Sequence, residues 1–496
     1  MRYLGLFLSW FLLIASAQTF AADDAATRAM RLYEKRHYNE AARILRAEAA
    51  SIEQGKKGSA NLGLGMIYFK NAVLHRELYQ SAVVASQDYL KKLSAGQGEE
   101  RSRFVDLYLG EALAEAGKSG AAVIQLKRFS QGNGVEPRYR AIAKVCLGLG
   151  YFQNSEASKG TELWRGIDAS DLEVKAELAA AFSKAGLKDK DPSVIAEAIL
   201  SEMKRSGRSL SMRMVKNLVA IYARGSGSIE KGLDLLDHSD LNGFSYREVL
   251  GKSKVIHFYD LSLLNDMATL YGRASITYLE KAATDPKVKD GAEFYLSQAY
   301  GLFGSVEQSS KVIASFMATS QMPQQYKDHI RVWQGTNLYA RNHPADAMAV
   351  WDELVRKQPE DRDLIAEVLF ACSRTKMECP GALQNAAGLV EAGESKKLSL
   401  LNIAMGKYYL SRLDGAKAVS YLEAGRDKSN KNKIESNDPA MLVSLADAYY
   451  RTKKFSEALE IYFEMSKHFP EVRQIQEAMQ GVYAIEHKSA GDVKIN

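Results

Sequence analysis

A small residue, followed at set intervals by a second small residue and then a large one, recurs along this 496-residue chain and constrains its fold more than any other feature. Between His329 and Asp361, Gly335 is followed by Leu338, then Ala347, Trp351 and Leu354, with Pro359 closing the unit. The skeleton returns as Gly406, Tyr409, Ala418, Leu422 and Gly425, and again as Ala446, Tyr449, Phe455, Ala458, Tyr462, Met465 and Pro470. Earlier copies run through Ser297, Tyr300, Val306, Ser309, Ile313 and Phe316, through Gly148, Tyr151, Gly160 and Trp164, and through Gly110, Leu113, Ala122 and Leu126. The first runs through Ala29, Tyr38, Ala41 and Leu45. Apolar residues within each copy fall three to four apart, the helical period. Small residues let two helices cross closely, and large ones fill the space beside the crossing. Polar turns such as Arg341-Asn342-His343 and Thr452-Lys453-Lys454 separate the two helices, and Pro359 and Pro470 end the second. One such pair cannot bury its apolar face alone, so the pairs must stack.

These spacings match the tetratricopeptide pattern of roughly 34 residues per unit, and the chain resembles that family over most of residues 25–470. The resemblance implies an all-α, right-handed α-solenoid of about 11–12 antiparallel helix pairs. Sustained strand-like alternation is missing, so no sheet is expected. A chain this long exceeds the roughly 250–300 residues at which a single core stops growing, which an elongated stack avoids. The expected organisation is N-terminal repeats over 25–285, C-terminal repeats over 286–470, and a capping helix with a polar tail over 471–496. The copy at Leu62-Gly63-Leu64-Gly65 reads as carrying an insertion, Asn71 to Glu77, before Tyr79 and Ala82. Residues 185–285 are degenerate, with pairs drawn through Leu218, Tyr222 and Gly232 and through Ala274, Tyr278 and Pro286. Arg205 to Arg213 reads as a bend, and Lys428 to Asp438 as a charged loop.

The N-terminus has the three parts of a secretory signal peptide: Arg2, an apolar run from Leu4 to Ala15, and small residues at Thr19 and Ala21. The run is shorter than the roughly 20 residues a membrane span needs, so cleavage after residue 21 and export, to a periplasm or beyond, are expected. In an oxidising compartment, Cys372 and Cys379 either form a small disulfide across a helical turn or remain two free thiols. Cys146 lies on an apolar helix face and reads as core. A net charge of +6 is small for this length and shows no nucleic-acid signature.

Enzyme motifs fail on inspection. Ala112 to Ser119 ends in Gly-Lys-Ser but has Ala112 where a phosphate loop needs glycine. None of the eight histidines has zinc-hydrolase spacing. Ser228 to Lys231 and Ser373 to Lys376 fit a Ser-x-x-Lys spacing without its companion motifs. No catalytic, cofactor-binding or metal-binding residue is assigned, and the expectation is a binding protein rather than an enzyme.

In the resembled family, first helices line a groove that holds a peptide or protein. Carried over by position, the groove candidates are Thr336, Tyr339, Lys407, Leu410, Asp447, Tyr450 and Arg451, with Gln298, Glu111 and Phe152 as counterparts nearer the N-terminus. The mixed charge of Lys407, Asp447 and Arg451 does not copy the family's carboxylate clamp. The expected role is a scaffold of the cell envelope, in envelope assembly, polysaccharide export or pilus and motility machinery. The alternatives are direct binding of a glycan or anionic polymer, a regulatory subunit of an enzyme, and a groove filled by the chain's own tail, Ser489 to Asn496.

Overall fold

The computed structural model describes residues 25–35, 37–48, 57–95, 104–187, 190–225, 228–239, 245–250, 254–259, 261–393, 398–426, 437–467, 469 and 472–487. The expected signal peptide, residues 428–436 of the charged loop and the tail from Ser489 lie outside them. The first helices are α1 (Ala25–Glu34), α2 (Tyr38–Glu48), α3 (Lys57–Ala95), α4 (Phe104–Glu115), α5 (Ser119–Ser130), α6 (Pro137–Gln153) and α7 (Ala157–Arg165). Next come α8 (Leu172–Lys184), α9 (Pro192–Ser206), α10 (Met212–Arg224), α11 (Ile229–Asp237) and α12 (Leu261–Ala283). The remainder are α13 (Lys289–Phe303), α14 (Val306–Thr319), α15 (Gln324–Ala340), α16 (Pro344–Lys357), α17 (Arg362–Thr375) and α18 (Pro380–Ala392), then α19 (Ser399–Ser411), α20 (Gly415–Gly425), α21 (Pro439–Arg451), α22 (Phe455–Ser466) and α23 (Val472–His487).

One expectation is corrected at once. Strands β1 (Ser245–Leu250) and β2 (Lys254–Tyr259) pair antiparallel, with Ser245 opposite Tyr259 and Leu250 opposite Lys254, so the chain does contain a small sheet. The two segments are rich in β-branched and aromatic residues, but at six residues each they are too short to show as sustained alternation.

Most of the helix pairs follow one packing rule. Counted from the small residue of the first helix, a second small residue comes twelve later and a large one sixteen later, as in Gly110, Ala122 and Leu126 or Gly335, Ala347 and Trp351. A Cβ on Gly110 would lie 2.5 Å from Leu126 Cγ, and one on Gly406 2.5 Å from Leu422 Cγ. Where the large residue is tryptophan, the indole takes the glycine's space and donates to the first helix's backbone: Trp164 Nε1 to Val145 O and Trp351 Nε1 to Val332 O, both 3.0 Å. Seven residues after the crossing, the turn takes a positive φ at Gly117, Ser155, Asn342, Leu413 and Lys453. There the next amide bonds back over the helix end, as His343 N to Leu338 O at 3.0 Å, the Schellman closure that satisfies orphaned carbonyls.

The copy at Gly65 obeys the rule with a partner from far down the chain. A Cβ on Gly65 would lie 2.5 Å from Leu279 Cγ and 3.2 Å from its backbone nitrogen. Ser275 Oγ donates to Gly65 O at 2.8 Å, just as Ser309 Oγ donates to Ser297 O at 2.7 Å in an ordinary repeat. Tyr68 stacks on Tyr271 and Tyr278 with centroids 5.9 and 5.7 Å apart. The first half of α3 and α12 therefore form one antiparallel pair. The expected insertion from Asn71 to Glu77 does not exist, because α3 runs unbroken for 39 residues and its second helix comes from α12.

The solenoid thus has a main array and a branch. The main array runs α1/α2, α3/α12, α13/α14, α15/α16, α17/α18, α19/α20 and α21/α22, capped by α23. The branch, α4/α5, α6/α7, α8/α9 and α10/α11, is inserted between the two helices of the split pair and ends against α12. Arg46 on α2 clamps the branch to the array through Asp237 and, at 2.8 Å, Asp234 on α11. Eleven pairs and a cap account for the 23 helices among the described residues.

Candidate partner-binding groove

The row of first helices in the main array is α13, α15, α17, α19 and α21. Beyond its split-pair half, α3 continues along the far end of this row, against α21 and α23. Glu77 on α3 accepts from Lys407 Nζ at 3.0 Å, and Asp88 accepts from the Tyr450 hydroxyl at 3.0 Å. Ser81 pairs with the Tyr462 hydroxyl, and the Tyr89 ring sits where a Cβ on Gly481 would be. Burial raises the Asp447 pKa above the usual carboxylate range despite Arg451, whose Nε lies 3.0 Å away. Leu410 is half-buried against the same core.

The candidates named from sequence therefore meet three fates. Lys407, Leu410, Asp447, Tyr450 and Arg451 lie in the stretch that α3 occupies, so a helix of the same chain fills the groove there. Glu111 and Phe152 lie in the branch: Phe152 stacks on Trp164 at 4.8 Å, and Glu111 belongs to a buried ion network. Thr336 and Tyr339 lie on α15, and Gln298 on α13, in the part of the row that α3 leaves. Tyr339 is 36% exposed and, with Phe463, is one of two exposed aromatic rings among the described residues.

The branch network closes its own inner face. Arg213 Nη1 lies 2.7 Å from Glu177 and 3.0 Å from Glu111, Asn217 Nδ2 donates to Glu177 at 2.9 Å, and Lys216 lies 3.7 Å from it. Burial alone would raise the Glu177 pKa, but the charges of Lys216 and Arg213 and the Asn217 hydrogen bond outweigh it and hold it at about 2. Lys184 bridges Glu115 and Asp266 at 2.8 and 3.5 Å, and Arg224 reaches Asp266 at 2.8 Å. Cys146 is buried in the core as expected, and its Sγ also meets these charges, 3.5 Å from Glu111 and 3.7 Å from Glu177. Burial and both carboxylates push its thiol pKa well up. Glu111, Cys146 and Glu177 offer ligand atoms within 4.8 Å of one another, but a cation entering there would have to displace Arg213 and Lys216. The cavity beside them, about 40 Å³, is water-sized.

The open stretch has a different character. On α17, Arg374 places its guanidinium carbon 4.6 Å from the centroid of Trp333. Trp333 is fixed from below: its Nε1 donates to Glu367 at 3.0 Å, and Glu367 also takes the Nδ1 of buried His329. Burial would lower the His329 pKa, but Glu367 reverses this and raises it. Arg374 is solvent-exposed, yet the surrounding protein pulls its pKa down to about 10 against the pull of Glu367. Arg76, on α3 where it enters this stretch, is also exposed, donates to Leu302 O at 3.2 Å and lies 5.9 Å from the Phe303 centroid. Sequence reasoning met Arg374 only inside a chance Ser-x-x-Lys spacing and did not meet Arg76 as a site residue. Nothing local marks either, because their neighbours come from other helices. The turn after α17 is stapled by a Cys372–Cys379 disulfide, with Cα atoms 6.3 Å apart.

The chain is a helical solenoid of tetratricopeptide-type helix pairs with one short β-hairpin, and its neighbours among solved structures are proteins of that kind. The yeast Tom70 structure aligns at 13% identity over 94% of this chain and 95% of that one, with a TM-score of 0.32. A Pyrococcus horikoshii signal-transduction ATPase with a tetratricopeptide repeat sensor aligns at 13% identity over 86% and 77%, TM-score 0.29. The P58(IPK) TPR domain aligns at 12% identity over 78% and 99%, TM-score 0.17. The helix-pair fold itself rests on the packing rule above. No protein-family model matches the chain. No curated protein matches it.

Proposed function

We propose that this protein is a non-catalytic scaffold of the cell envelope that holds a protein partner in the stretch of groove spanning α13, α15 and α17. The observation that carries this reading is the division of the first-helix row. Its far end is filled by α3, while α15 and α17 hold Tyr339 and Arg374 open to solvent. A surface that keeps an aromatic ring and an arginine exposed beside a buried tryptophan has the residue types that anchor protein interfaces. Export is supported by the signal-like N-terminus and by the Cys372–Cys379 disulfide, since such bonds persist mainly in oxidising compartments. Envelope assembly, polysaccharide export and pilus or motility machinery all need such scaffolds.

The test is photo-crosslinking in the native cell from positions 339 and 450, with mass spectrometry of the adducts. Tyr450 is buried against Asp88 and serves as the internal control. The expected result is adducts to an envelope protein from position 339 and none from 450. A folded, exported protein giving no adducts at 339 overturns the assignment of the open stretch.

A further inference from the structure

We infer that the open stretch recognises acidic side chains on its partner, through a two-arginine subsite formed by Arg374 and Arg76. This deepens the scaffold reading and rests on it for the location of the groove. The two guanidinium groups come from different parts of the molecule, α17 of the main array and α3 where it turns from helix-pair partner to groove filler. Arg76 lies against Leu302 and Phe303, the adjoining Gly301 packs on the Trp333 ring, and Arg374 covers that same ring, which brings the two side chains to one site. Among the described residues, Arg374 makes no hydrogen bond or ion pair; its only close contact of this kind is the Trp333 face. Arg76 is held by one backbone carbonyl and the Phe303 ring, with no carboxylate.

The nearby acids are already spoken for. Both oxygens of Glu367 are engaged, one by Trp333 and one by His329, and Glu77 accepts from Lys407 and from Ser444 at 3.5 Å. Two neighbouring like charges, each lying against a ring and neither in a direct ion pair among the described residues, cost free energy that an arriving carboxylate recovers. Arginine suits that task because its planar fork accepts a carboxylate through two parallel hydrogen bonds. Trp333 is buried beneath Arg374 at 3% exposure and offers no face to a sugar ring, which favours an acidic peptide over an acidic glycan. Gly301 keeps this platform tight, since a Cβ there would lie 3.2 Å from the Trp333 ring.

The experiment titrates the full chain with a fluorescent oligoglutamate peptide, acetylated at its N-terminus and amidated at its C-terminus, so that only side-chain carboxylates are offered. Binding should weaken with salt, be absent for the oligoglutamine counterpart, and fall roughly tenfold or more in Arg374→Gln and again in Arg76→Gln. Arg374→Lys should restore only part of it. Circular dichroism of each variant verifies folding, which is expected because neither arginine contributes a side-chain ion pair. Oligoglutamate binding unchanged in folded R374Q and R76Q overturns the subsite. A polyuronate oligosaccharide that competes as well as the peptide overturns the peptide assignment. Crosslinks from position 339 that persist while both arginine variants behave as wild type leave the groove standing and sink only the inference.

Discussion

The inner face of the branch and the open stretch of the main array are built from the same kind of first helix, yet one is closed and the other is not. In the branch, Glu111, Glu177, Arg213, Lys216 and Asn217 come from the first helices α4, α8 and α10 and pair with one another. In the main array, Arg374 and Arg76 meet aromatic faces and find no carboxylate of their own. The branch pairs its charges across its first helices, whereas the array leaves two arginines without a carboxylate in direct contact among the described residues. Polar residues on a repeat's inner face do not by themselves mark a binding surface; whether the neighbouring helices have already answered them decides it.

The sharpest break between the two regions is a substitution at Glu177. Glu177→Leu leaves Arg213 and Lys216 buried without their shared carboxylate, and should destabilise the protein by about 3–5 kcal/mol in urea unfolding. Acid should act on the same group. Because the folded Glu177 pKa lies below its ordinary 4.5, at about 2, its contribution is present above 4.5 and is lost as pH falls from 4.5 toward 2. Wild type should therefore lose stability over that window more steeply than Glu177→Leu, and equal slopes would refute the network. Gly65→Val tests the joint between branch and array. The added side chain meets Leu279, including its backbone nitrogen at 3.2 Å, and should cost about 1–3 kcal/mol by thermal unfolding. If residues 71–77 were instead a loop insertion, the same change would cost little. The smallest effect is expected at Arg374→Gln, which should leave unfolding within about 0.5 kcal/mol of wild type, as at an exposed position without a structural partner. A larger loss would mean that Arg374 serves the fold and not a ligand.

The local part of the fold was legible wherever a repeat closes on itself. Gly335 with Trp351, Gly406 with Leu422 and Ala446 with Tyr462 each lie within one helix pair, so their spacing along the chain reports their packing. Gly65 and Leu279 make the same contact, but their separation carries no period, and the region between them reads as degenerate. The hairpin was missed because two six-residue strands give too little alternation. Of the groove positions, Thr336 and Tyr339 lie on the first helix α15, whereas Lys407 and Tyr450 lie on a face that the sequence could not show to be covered by Glu77 and Asp88.

By itself, then, the amino-acid order determined that this protein is built of helix pairs, where most of them begin and end, and which small and large residues interlock, because those interactions act over tens of residues and leave a period. Only the tertiary structure decided that one repeat is split by a branch, that α3 lies along the far end of the first-helix row, and that Arg374 and Arg76 lie on the Trp333 and Phe303 rings. These depend on which distant helix fills a given space, and close packing discriminates among candidates by shape and charge in three dimensions, a choice that leaves no spacing along the chain to read.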